Sequence, residues 1–268
     1  MGELKLKVIS ADGTLYGSSE SGPEVCLVYT KEYKEGDRIC LETDRPGMTV
    51  RIRLEDSMDP CLVYVPGTSL TYPIPPADRR QNYSPKSFAG ALHVIRARVA
   101  SEEERMTVRN LAFNPYDLHG DHGMYPHAAA NVETRNEAAF AVRNAIDGLC
   151  LNREHGNYPY TSWGINRDPK AELTLEFGRP VRIREVVLLL RADFPHDSYW
   201  TQAEVVLRDS RSGQEKAETL SLKKTPEKQH FPMEETADTL ILRKLVKAED
   251  ASPFPALTQL EVWGTEIS

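Results

Sequence analysis

No stretch of this 268-residue chain approaches the roughly 18 consecutive apolar residues of a membrane-crossing helix. The opening alternates as Leu4-Lys5-Leu6-Lys7 and lacks the apolar core of a signal peptide, and Leu6 stands where a myristoylation signal needs Ser or Thr. A cytoplasmic protein without a membrane partner is the expectation. Cysteine is scarce: Cys26, Cys40, Cys61 and Cys150 are scattered singly with no CxxC pair, so buried free thiols are expected ahead of a disulfide or a thiolate zinc site. Positive charge is the minority, with 33 Lys and Arg against 40 Asp and Glu and a net charge of -7. A surface built to neutralise phosphates would have the opposite balance, which argues against nucleic acid as a partner. Helical heptads, internal repeats and low-complexity tracts are also missing, and strands follow strands without alternating long helices, which excludes a doubly wound α/β fold.

What is present is a rhythm of short alternating or apolar runs: residues 4–9, 24–29, 38–43, 49–54, 62–65 and 91–99, bounded by turn signals such as Arg45-Pro46-Gly47. Pro73-Ile74-Pro75-Pro76 cannot continue a central strand, because proline has no N–H to donate. The charged run Ser101-Glu102-Glu103-Glu104-Arg105 reads as a linker and sets the predicted domains at 1–105 and 106–268. In the second domain a strand over 106–113 leads into a long polar loop, 114–136, and a helix expected over 137–146 precedes another polar loop, 148–168. Strands are predicted again over 171–177, 183–192, 202–208, 218–222, 239–245 and 259–263. The fold class is all-β, two β-sandwich domains.

In the second domain Arg109-Asn110-Leu111-Ala112, Ala145-Ile146-Asp147-Gly148, Thr161-Ser162-Trp163, Ala171 to Gly178, the paired strands Val186 to Arg191 and Ala203 to Arg208, and Gln259-Leu260-Glu261-Val262-Trp263-Gly264 follow in order. Over about residues 106–268 this pattern resembles the discoidin-like, or galactose-binding-like, family of coagulation factor C-type domains and carbohydrate-binding modules. The first domain resembles no family. The resemblance implies an antiparallel jelly roll that grips a ligand through loops at one end, and often a structural calcium. The matching calcium positions are the Ala145 carbonyl, Asp147, Thr161 and Glu261, all oxygen donors suited to a hard cation. One departure stands out: relatives often carry two acidic residues in the last strand, and here Gln259 occupies the first.

A sugar needs mixed donors and acceptors plus an aromatic face. The candidates for such a site are His127, Asn131, Arg135 and Glu137 from the first loop, Tyr158 and Trp163 from the second, and His196, Asp197 and Trp200 from a third, with saccharide or glycoside as the partner. Each has an alternative as a core, capping or ion-paired residue, and an Arg191–Asp193 ion pair is expected on one strand face. Four of the seven histidines lie between positions 119 and 155, and His119, His122 and His127 with Asp117 and Asp121 are a transition-metal candidate whose spacing matches neither HExxH nor HxH-Glu. Carbohydrate binding is the leading reading. The alternative is an enzyme acting on a sugar or glycoside, as hydrolase, lyase or isomerase, with His127, Arg135, Glu137, His155, His196 and Asp197 converging. Docking of a protein partner on the loops is a third reading.

Overall fold

The computed structural model describes residues 2–120 and 122–267. The chain is all-β and divides into two compact units, Met1–Arg105 with Gly120–Tyr125, and Met106–His119 with Pro126–Ser268.

Unit 1 is built from β1 (Leu4–Ile9), β2 (Leu15–Ser18), β3 (Glu24–Tyr29), β4 (Arg38–Thr43), β5 (Met48–Arg53), β6 (Cys61–Val65), β7 (Ser69–Pro73) and β8 (His93–Val99). They form two antiparallel four-stranded sheets, in the orders β2-β1-β4-β7 and β3-β8-β5-β6. Alternation places one face of each strand inward: Leu4, Leu6 and Val8 of β1 and Val25, Leu27 and Tyr29 of β3 are buried. Each fully buried aliphatic side chain of this kind contributes about 1.5–3 kcal/mol. β7, which the sequence reading passed over, ends on Pro73 and lies at a sheet edge beside β4 alone, where a missing N–H breaks no ladder.

The predicted linker is a one-turn helix, α1 (Glu102–Met106), closed by a capping box: Glu104 N donates to Ser101 Oγ at 3.2 Å and Ser101 N to Glu104 Oε2 at 3.0 Å. Further on, part of the long polar loop returns to unit 1. Tyr125 and Tyr64 exchange backbone hydrogen bonds of 2.8 and 2.9 Å, and Thr71 N donates to His122 O at 3.1 Å. Gly123 is required here, since its φ is +76° and a Cβ would meet Ser69 O at 2.8 Å.

Unit 2 contains β9 (Arg109–Asn110), β10 (His127–Ala130), β11 (Trp163–Gly164), β12 (Leu173–Leu190), β13 (Trp200–Asp209), β14 (Gln214–Ser221), β15 (Gln229–Lys247) and β16 (Ala256–Glu266). The backbone order is β11-β16-β12-β15-β13-β14, with β10 on β12 and β9 on β16, all antiparallel. The predicted strands 171–177 and 183–192 are one continuous strand whose register with β15 shifts between Glu176 and Val181, around Gly178. Its two halves take different neighbours, β10 at Leu173–Glu176 and β16 at Val181–Leu190, so the sheet folds over a single core that includes Trp163, Phe177, Leu188, Trp200 and Leu242. This is a sandwich of the jelly-roll kind. The predicted helix 137–146 is instead a series of 3₁₀ turns at Ala138–Phe140 and Val142–Ile146, following one at Thr134–Asn136, because Glu133, Glu137 and Ala141 are extended and interrupt any α ladder. The strand predicted over 106–113 pairs only at Arg109–Asn110.

Candidate functional site

Within unit 2 the turns around Thr134–Phe140, the segment from Gly164 at the end of β11 to Arg167, and the loop leading into β16 enclose a cleft of about 230 Å³. It is lined by Thr134, Arg135, Phe140, His155, Gly164, Ile165, Asn166, Arg167, Arg191, Phe254, Pro255 and Ala256. Two of its walls carry paired left-handed residues that are not glycine: Arg135 and Asn136 at φ 53° and 52°, and Asn166 and Arg167 at 48° and 62°. Such backbone costs about 1–2 kcal/mol per residue and persists only where the surroundings fix it. What fixes it is visible. Thr134 Oγ1 accepts the Asn166 N–H at 2.9 Å, and Gly164 passes so close that a Cβ would stand 2.6 Å from the same oxygen.

The cleft chemistry is guanidinium over aromatic ring, twice. Arg135 lies 5.4 Å from the Phe140 centroid and Arg167 lies 4.4 Å from that of Phe254. Arg135 donates to both Glu137 oxygens, at 2.5 and 2.8 Å, and Arg191 donates through Nε and Nη2 to the two oxygens of Asp193. The His155 ring packs 4.9 Å from Phe140, and burial, then the positive charge of Arg191, pushes its pKa down to about 4. Its imidazole is therefore neutral at pH 7, and its Nε2 lies 3.4 Å from Ser162 Oγ. Both carboxylates next to the cleft are held by guanidinium partners, and none of the lining residues is itself an acid. General acid–base chemistry needs a group whose pKa lies near the working pH, and this lining does not offer one.

Of the expected ligand residues, Arg135 lines the cleft and Glu137 is its partner. The two tryptophans require correction. Trp163 and Trp200 are both 0% exposed in the core, and Trp163 Nε1 donates to Val132 O at 3.0 Å, so neither ring has a face for a ligand. Asn131 ties its own loop to the chain ahead of β12, donating to Lys170 O at 2.8 Å and accepting the Glu172 N–H at 2.9 Å. His127 is oriented by Asp117, Nδ1 to Oδ1 at 2.8 Å, while Asp117 Oδ2 takes the Ala128 N–H at 2.9 Å. His196 is exposed, Asp197 is buried 3.3 Å from Lys224 Nζ, and Tyr158 is partly exposed; none of the three lines the cleft. The expected Arg191–Asp193 pair is present, and Arg191 also lines the cleft. Phe140, Arg167 and Phe254 were missed: Phe140 falls inside the expected helix 137–146, and the other two lie in loops with no periodicity to mark them.

The calcium positions form a different kind of junction. Gln259 Nε2 donates to Asn144 O at 2.7 Å and to Asp147 Oδ1 at 2.8 Å, and its Oε1 accepts the Gly148 N–H at 3.0 Å. Glu261 is held by Lys228 Nζ at 2.6 Å and by Trp263 Nε1 at 2.9 Å. Asp147 Oδ2 and Thr161 Oγ1 are buried without a hydrogen-bond partner, and burial pushes the Asp147 carboxyl up to about 6. These two oxygens and the Ala145 carbonyl would suit a cation, but the ring also contains a donating amide, and its second acid already holds an ammonium. That donor set does not fit a hard divalent ion. Among the described residues no group of three or more His, Cys, Asp or Glu side chains comes together as a metal set, and Asp121 lies outside the described residues. His119 pairs instead with Glu133 at 3.1 Å.

No family model matches the chain, and no curated protein matches it. Among solved structures it is similar to chitosan-binding module 1 from a chitosanase/glucanase of Paenibacillus sp. IK-5, at 17% identity and TM-score 0.41 over 58% of this chain and 99% of that one. It is also similar to the family 32 carbohydrate-binding module of C. perfringens NanJ in complex with galactose, at 15% identity and TM-score 0.39, covering 51% and 91%. A Streptococcus pneumoniae fucose-binding module matches at 11% identity and TM-score 0.43, covering 59% and 99%.

Proposed function

We propose that unit 2 binds a saccharide in the cleft between Arg135, Arg167 and Arg191. The observation that carries this reading is the pairing of two phenyl rings with guanidinium groups, Arg135 on Phe140 and Arg167 on Phe254, in a cleft where Arg135 and Arg191 have carboxylate partners in Glu137 and Asp193. Guanidinium–carboxylate pairs put N–H donors beside oxygen acceptors, which is what a hydroxyl-rich and mostly neutral ring requires, and the phenyl rings offer surface to its C–H face. The volume of about 230 Å³ suits one sugar residue rather than a long chain segment. Binding is favoured over turnover because the lining has no acid or base poised near neutral pH.

A glycan array followed by calorimetry on the intact chain tests the reading. Arg167→Ala and Phe254→Ala, both in exposed loop positions, should each weaken a saccharide hit by about 1–3 kcal/mol while leaving the melting temperature within error. The reading fails if no saccharide binds, or if both variants bind as the parent does.

A further inference from the structure

We propose that unit 1 carries a second, independent ligand site: an oxyanion is held between Arg53 of β5 and Arg96 of β8, on the outer face of the β3-β8-β5-β6 sheet. The register places Arg51 opposite Arg98 and Arg53 opposite Arg96, while the intervening Ile52 and Ala97 point into the core. Four guanidinium groups therefore share one patch of one sheet face. Like charges placed directly opposite each other destabilise a strand pair unless something neutralises them.

One row of this ladder has its counter-ion. Glu104 takes both terminal nitrogens of Arg98, at 2.6 and 2.7 Å, and Arg51 Nη1 at 3.4 Å, and Glu24 lies opposite Arg98 on β3. The other row has none among the described residues. Arg53 Nη2 donates to the neutral carbonyl of Asp56, its Nε is buried without a partner, and Arg96 is exposed with no carboxylate paired to it. A buried N–H left without an acceptor is costly, so it marks a place where an acceptor is wanted. The same residues line a cleft of about 230 Å³ that also includes Pro60, room enough for a sulfate, phosphate or carboxylate group and part of what bears it. Arginine suits this ligand because its planar fork matches two oxygens at once. The net charge of -7 makes the patch a local exception, and selectivity comes from the fork geometry rather than from long-range attraction.

The ligand chemistry is an oxyanion, either free or borne on an acidic glycan, and the experiment separates the two. The intact protein is titrated at low salt with inorganic sulfate, inorganic phosphate and a sulfated oligosaccharide, and the titrations are repeated with Arg96→Gln, Arg53→Gln and the charge-matched control Arg211→Gln. The expected result is that the oligosaccharide binds, inorganic sulfate competes with it, and each ladder variant loses on the order of tenfold in affinity while the control loses little. Binding of the inorganic ions with no gain from the oligosaccharide assigns the site to a free anion. The proposal is overturned if none of the three probes binds, or if Arg96→Gln, whose exposed position leaves folding intact, binds them as the parent does.

Discussion

The two arginine clusters of this molecule differ in how their charge is met. In the unit 2 cleft Arg135 and Arg191 each have their own carboxylate two residues on in sequence, and Arg167 rests on a phenyl ring. In unit 1 four arginines stand on two adjacent strands, and Glu104, which arrives from the turn of α1, meets the Arg51–Arg98 row and not the Arg53–Arg96 row. The contrast follows from backbone. A loop can place acid and base next to each other in sequence and bring both to one point. A strand sends alternate residues to one face, so neighbours of like charge stay together unless another element supplies the opposite sign. The cleft is thereby matched to uncharged, hydroxyl-rich matter and the ladder to an anion.

The strongest way to break this comparison is to show that the aromatic surface of unit 2 lies elsewhere. Trp163→Ala should cost about 3–5 kcal/mol in urea unfolding, as expected for a fully buried indole, whereas Phe254→Ala should leave stability nearly unchanged. A mild Trp163→Ala that abolished saccharide binding would return the platform to the tryptophans. Next in size is the effect of His155. With a folded pKa of about 4 against an unfolded value near 6.5, the unfolded chain binds the extra proton first as pH falls. Stability should therefore drop between about pH 6.5 and 4, by no more than roughly 3 kcal/mol, and His155→Asn should flatten that part of the profile.

A smaller effect separates the two clusters directly. Glu104→Gln removes the carboxylate that pairs with Arg98 and Arg51, and because this pair is partly exposed the stability loss should stay below about 1 kcal/mol while sulfate affinity rises. Asp193→Asn in the cleft should instead weaken a saccharide. Opposite signs in the two titrations support the distinction, and equal signs remove it. The smallest expected effect is none: millimolar calcium and chelator should give the same melting temperature, because a ligand that does not bind the native state cannot raise it. A calcium-dependent rise would show that the Gln259 amide turns aside to admit the ion.

The strands of both units were legible because a buried face repeats every second residue, as in Leu4-Leu6-Val8. β10, His127–Ala130, was hidden in a polar loop, and β2, Leu15–Ser18, is too short and exposed to show a pattern. The candidate site was legible only as a polarity: Arg135, Glu137, His155 and Arg191 were singled out, and the rest depended on which side chains turn inward. Asp117 and Asn131 look like ligand groups in sequence, but each satisfies backbone of its own loop or a neighbouring segment. The tryptophans drew attention as rare aromatics, yet large aromatics are the usual filling of a sandwich, and the rings that face the cleft are phenylalanines with no sequence context to distinguish them.

The return of residues 120–125 to unit 1 means that the chain crosses between the units three times rather than once. A single protease nick near residue 105 would leave the N-terminal fragment still gripping a short piece of the other fragment through the Tyr64–Tyr125 ladder and the Thr71 hydrogen bond. The nicked protein should then stay together on a sizing column until denaturant frees that ribbon. Excising either unit at residue 105 for use as a stand-alone module would leave unit 1 with an unfilled edge, so a clean dissection needs residues 120–125 supplied back to it.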